Sequence, residues 1–137
     1  MGPFFMAYWI LKTEPGTYSL DNLKKDRSTF WDGVRNYQAR NNLKAMKLND
    51  HCMIYHSVGP KEVVGTARVT KAAYADPKNL DWVNVDIAFE SELDKPVKLA
   101  EIKANTKLQN IALVRQGRLS VCPITKDEWD AIMKMAG

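Results

Sequence analysis

Apolar and polar positions alternate most regularly over WVNVDIAFE, residues 82–90. Val83, Val85, Ile87 and Phe89 point one way; Trp82, Asn84, Asp86, Ala88 and Glu90 point the other. A period of two marks a half-buried strand. Three shorter runs read as strands too: AYWILK (7–12), which stops at the turn signal Glu14-Pro15-Gly16; CMIYHS (52–57); and EVVGTARVT (62–70), its hairpin partner beyond Gly59-Pro60. A further strand is expected around Leu119 to Val121, and the polar stretch 74–81, with Asp76-Pro77, predicts a loop. Helical signals are fewer. Ser19 is placed to N-cap a short helix through about Lys25, residues 36–47 read as a helix after the Asp32-Gly33 turn, and 97–104 hold a short helical turn. Thr125-Lys-Asp-Glu128 is a capping-box pattern opening a last helix with Trp129, Ile132 and Met133. Strands outnumber helices and hairpin connections dominate. The expected class is α+β: a mostly antiparallel, curved sheet or small barrel with helices at its side and ends.

The segment FWDGVRNYQARNNLK (30–44) fits no plain structural element. On a helical wheel Ala39, Leu43 and Met46 share one face, whereas Tyr37, Arg40, Asn41 and Lys44 share the opposite one. The helix is therefore expected to pack on the sheet and display a basic, aromatic, amide-rich face. Trp31 precedes the turn, and Trp82 lies off the apolar face of its strand. A tryptophan so placed either covers a sheet end or offers a stacking wall to a planar ligand. Trp9 and Trp129 sit in apolar contexts and are expected in the core.

Charge sharpens this picture. The net charge is +4, with a sequence pI of about 9.1, but residues 1–71 carry 11 Lys/Arg against 6 Asp/Glu while 72–137 carry 9 against 10. Residues 24–47 alone hold 7 basic and 2 acidic side chains, the footprint of a polyanion partner. The length of 137 residues suits one domain, 1–137, with MGPFFM (1–6) read as a loose arm or cloning remnant. No apolar run approaches the roughly 20 residues that span a bilayer, so no membrane role is expected. Cys52 and Cys122 are far apart without a CxxC partner, which fits a reduced, cytoplasmic protein lacking a zinc site. P-loop, GxGxxG, HExxH and GxSxG patterns are all missing, so no catalytic residue, metal ligand or cofactor is assigned. Cys52 and His56 share a strand face and read as core or rim residues; Glu14 and Asp32 flank turns and read as backbone-bonding groups.

The motifs YWILKTEP (8–15), WDGVRNYQARNNL (31–43), IYHSVGPKEVVGTARV (54–69), WVNVDIAF (82–89), LDKPVKLAEIK (93–103) and RLSVCPIT (118–125) are similar to those of the EVE domain, of the PUA-like superfamily, over about 7–135. The family often has Ser where this chain has Thr13; either keeps a hydroxyl at the strand end. The resemblance implies a PUA-like fold, a curved, mostly antiparallel β-barrel flanked by helices. It also implies a non-enzymatic reader of a modified base, methylated cytosine derivatives included, in DNA or RNA. In the related YTH domains an aromatic cage holds a methylated adenine, and its two tryptophans correspond by motif position to Trp31 and Trp82. On this basis Trp31 and Trp82 are expected to wall a base pocket. Lys12, Thr13, Tyr55 and Ser57 are expected to bond at its mouth or floor, with Tyr55 and Ser57 on one strand face. Asn36, whose amide both donates and accepts, is expected to read a base edge. Arg35, Arg40, Lys44 and Arg118 are expected to meet phosphates. Single-stranded nucleic acid or a flipped base should be favoured, because unstacking a base in duplex costs a few kcal/mol. The alternatives are an enzyme acting on modified nucleotides or nucleic acid, and a module binding a protein or small metabolite.

Overall fold

The apolar runs of the chain become the strands of one sheet. The computed structural model describes residues 7–31 and 36–137. In chain order the elements are β1 (Tyr8–Thr13), α1 (Leu20–Asp26), β2 (Ser28–Trp31), α2 (Tyr37–Ala45), β3 (His51–His56), β4 (Glu62–Asp76), β5 (Asn79–Lys98), α3 (Leu99–Ala104), a single 3-10 turn (Thr106–Leu108), α4 (Ala112–Arg115), β6 (Val121–Ile124) and α5 (Lys126–Met135). The strand order is β2-β5-β4-β3-β1-β6. Among the described residues only β1 and β3 pair in parallel, as the long connection through α1, β2 and α2 allows; the other pairs are antiparallel.

The α+β class and the mostly antiparallel sheet are as expected, but the barrel is not closed. Among the described residues the ladder ends at β2 on one side and β6 on the other. Helix α2 packs against β6, β5 and β4. Its Asn42 Nδ2 donates to the Val121 carbonyl at 2.7 Å, occupying a backbone acceptor on the edge strand β6. The loop expected over 74–81 is also corrected. β4 runs to Asp76 and β5 begins at Asn79, leaving Pro77-Lys78 as the connection, with Asp76 Oδ1 accepting from Lys78 N at 2.9 Å. The two long strands shift register at several points, which bends them without breaking them. The last strand lies at Val121–Ile124, later in the chain than expected.

Ile10, Leu11, Met53, Ile54, Val85 and Ile87 are fully buried in the sheet. Ala39 and Leu43 of α2 and Met46, its C-cap, are buried as the helical wheel requires. An isolated helix of nine residues is marginal in water, so this burial, about 1.5–3 kcal/mol for each large side chain, holds α2 in place. Trp9 is in the core and donates from Nε1 to Asp50 Oδ2 at 3.0 Å. Asp50 is itself buried and accepts from Ala7 N and Lys47 N as well, tying β1 to the α2–β3 connection. Trp129 is only partly buried, tilted against Tyr8 (5.3 Å) and His51 (5.7 Å) at the rim of the core and not within it. Gly65 lets Leu20, the first residue of α1, reach β4: a Cβ there would stand 2.6 Å from a Leu20 methyl and 2.7 Å from the Ser91 carbonyl.

Candidate nucleic-acid interface

Asn36 N-caps α2, its Oδ1 accepting from Ala39 N at 3.0 Å, so that oxygen serves the helix. The first residue of α2, Tyr37, is 68% exposed and stacks on Trp82 of β5, with ring centroids 5.4 Å apart and planes at 28°. One turn on, the Arg40 guanidinium lies 4.9 Å from the Tyr37 ring centre and 5.6 Å from that of Trp82. Such cation–π contacts contribute roughly 0.5–2 kcal/mol each, more as water is excluded. Arg40 Nη1 donates to the Asp81 carbonyl at 3.0 Å, while its Nε is buried without a hydrogen-bond partner. Asn41 and Lys44 are exposed beside it. The displayed face expected from helical periodicity is present, and β5 adds its tryptophan to it.

Sequence reasoning missed two neighbours. Phe30 on β2 is 52% exposed and pairs in register with Asp86, so it shares the strand face of Trp82. Asn84, two positions after Trp82, is buried, and its Oδ1 has no hydrogen-bond partner. The alternation had put Asn84 on the polar face; only burial distinguishes it from a solvated amide.

Trp31 ends β2 opposite Val85 and is 8% exposed, with Tyr18 edge-on to it at 6.3 Å and 85°. Thr13 belongs to this side of the sheet, donating from Oγ1 to the Tyr18 carbonyl at 2.7 Å. Trp82 lies three positions before Val85, on the other side of the strand's alternation. The chain between Trp31 and Asn36, with Arg35 and the expected Asp32-Gly33 turn, lies outside the described residues.

The remaining expected groups gather elsewhere. Lys12 and Tyr55 are register partners, as are Thr13 and His56, so the two pairs project from opposite faces of β1–β3. Lys12, Tyr55 and Ser57 line a cleft of about 190 Å³ together with Lys61, Lys103 and Gly117. Lys12 Nζ donates to the Gly117 carbonyl at 2.9 Å, and burial, with a smaller contribution from Lys61, lowers its pKa. Arg118 is exposed and follows Gly117 in the chain, but is not among the residues that line the cleft. Ser57 Oγ donates to the Thr13 carbonyl at 3.3 Å.

Both thiols are buried, and His56 is hydrogen-bonded within the fold. Burial pushes the Cys52 thiol far above its ordinary pKa and raises Cys122 to about 11. His56 Nε2 accepts from Leu20 N at 3.1 Å.

An open, mostly antiparallel α+β sheet, with one helix presenting cations and a tyrosine beside a strand tryptophan, defines the class of small module to which this chain belongs. The EVE domain profile matches residues 7–135, and the chain is a member of the EVE domain family. It is 33% identical to thymocyte nuclear protein 1 of Gallus gallus, over 94% of this chain and 68% of that protein. Among solved structures, a protein of Agrobacterium tumefaciens superposes with a TM-score of 0.91 at 40% identity, covering 96% of this chain and 93% of that one. The human THYN1 protein in complex with 5-methylcytosine-containing DNA superposes with a TM-score of 0.87 at 31% identity, covering 95% and 97%.

Proposed function

We propose that this protein is a non-catalytic reader of a modified base in DNA, 5-methylcytosine being the first candidate. The observation that carries this reading is the Tyr37–Trp82 stack with Arg40 over both rings, on a helix whose other face is buried. The surface is aromatic and cationic, and suits a splayed base with its phosphates. The human THYN1 complex supports DNA carrying 5-methylcytosine as the ligand. Trp82 and Tyr37 are the proposed stacking residues, with Asn36 beside them at the start of α2; Trp31 and Thr13 lie on the opposite side of the sheet and are not part of this surface. Arg40, Lys44, Arg35 and Arg118 are the proposed phosphate contacts. Because stacking on these rings needs an unstacked base, single strands or mismatched sites should bind better than perfect duplex. Two buried, unpaired thiols agree with a reducing compartment.

The test is equilibrium titration of the wild-type chain with two oligonucleotides that differ by one 5-methyl group. The methylated strand should bind more tightly by roughly 1–3 kcal/mol, the range for one methylene in an apolar pocket. Equal affinities would remove the base-reading role and leave only a phosphate-binding surface.

A further inference from the structure

We propose that the cleft between the ends of β1 and β3 and the α3–α4 segment binds a phosphate-class oxyanion, carried by a nucleic-acid strand or by a free phosphate ester. This site does not depend on the base-reading surface of α2. Three lysines line it, Lys12, Lys61 and Lys103, together with Tyr55 and with Ser57, whose hydroxyl donates to the Thr13 carbonyl. No carboxylate is among its lining residues, and three aliphatic side chains form the rest of its wall beside Gly117. Charge of one sign against apolar walls concentrates the field on whatever enters. The cleft's 190 Å³ lies below the ~300–1,000 Å³ of pockets that enclose drug-sized ligands, so it suits a small tetrahedral anion.

Lys12 is the fixed point of the cleft. One of its N–H groups is spent on the Gly117 carbonyl (2.9 Å), which orients the ammonium and leaves two donors. Lys61 and Lys103 are exposed at the rim and can move onto an anion. In the free protein the lysines repel one another, and both burial and Lys61 disfavour the charged form of Lys12. A bound oxyanion would offset that repulsion with charge-assisted hydrogen bonds. The strand register explains why the groups meet: Lys12 and Tyr55 are parallel partners, and Ser57 follows Tyr55 by two on the same face.

The experiment is a titration of the whole chain with inorganic phosphate, followed by amide NMR. Saturable shifts are expected at Lys12, Ser57 and Gly117, with apparent affinity about tenfold weaker or more in the Lys61→Gln/Lys103→Gln double variant, as the loss of charge-assisted bonds requires. Both substituted positions are exposed, so the fold should survive; Lys12→Met, which removes the anchoring ammonium, should abolish the shifts. An oligonucleotide that displaces phosphate from these amides assigns the anion to a strand. One that binds and leaves the phosphate shifts in place assigns it to a free ester. Shifts that do not saturate, or that are the same in the double variant, overturn the proposal. Failure of 5-methyl discrimination would leave these shifts unchanged, so the two readings fail separately.

Discussion

His56 accepts a hydrogen bond from Leu20 N through Nε2, and only the neutral ring can do so. Burial lowers its pKa, outweighing the opposite pull of Glu62 and Asp21. The unfolded chain therefore takes up the proton first as pH falls, and the contribution of His56 to stability is present at neutral pH and declines below about 6.5. The denaturant midpoint of the wild type should drop more between about pH 7.5 and about pH 5 than that of His56→Gln, which keeps an acceptor. An equal drop would show that the Leu20–His56 bond is not proton-linked. At this scale the candidate site was legible in part. Arg40, Tyr37 and Lys44 were readable as one displayed face because helical periodicity is local. The stack of Tyr37 on Trp82 was not, because it joins residues 45 positions apart through the packing of α2 on β5. Lys12 meets Gly117 across 105 positions, and nothing short of the sheet topology brings them together.

α2 is where fold and proposed function meet. Its two faces were written in the chain, and so was its start, since Asn36 occupies the cap and Tyr37 opens the helix. Asn36→Ala should lower stability by about 1 kcal/mol, whereas Asn36→Ser should stay within a few tenths of wild type, as measured by denaturant unfolding. Equal destabilisation by both would mean that the cap is not what the residue supplies. The N-cap at Ser19 and the capping box at Thr125 were legible for the same reason: a cap and its partner lie within one turn; that Asn22 completes a box with Ser19 was not read. β2 was not legible. Its burial runs exposed, intermediate, exposed, buried over STFW, and as an edge strand it exists through pairing with β5. The four-residue α4 and the 3-10 turn carry too few positions to show a period. β4 and β5 were read too short because register shifts interrupt their alternation without ending their pairing. The residue pattern left open sheet and small barrel as alternatives, because closure depends on how far β2 and β6 diverge, which no local pattern records.

Across the whole molecule, positive charge collects in the first half of the chain, and the fold divides it between two places. Arg40 stands with Trp82, and Lys44 follows it one turn on along α2, while Lys12, Lys61 and Lys103 line the cleft. A surface of this kind draws in a polyanion at long range, and aromatic contact then selects among bases. The claim at the centre is that selection happens at the stacked aromatic pair. Its most direct test is the ratio of dissociation constants for methylated and unmethylated oligonucleotides, measured for wild type and for Trp82→Ala under one salt condition. The ratio should fall toward one in the variant, and the methylated strand should lose roughly 1–3 kcal/mol of binding, the worth of one base–aromatic stack. A variant that keeps the wild-type ratio would place base recognition elsewhere and contradict the account.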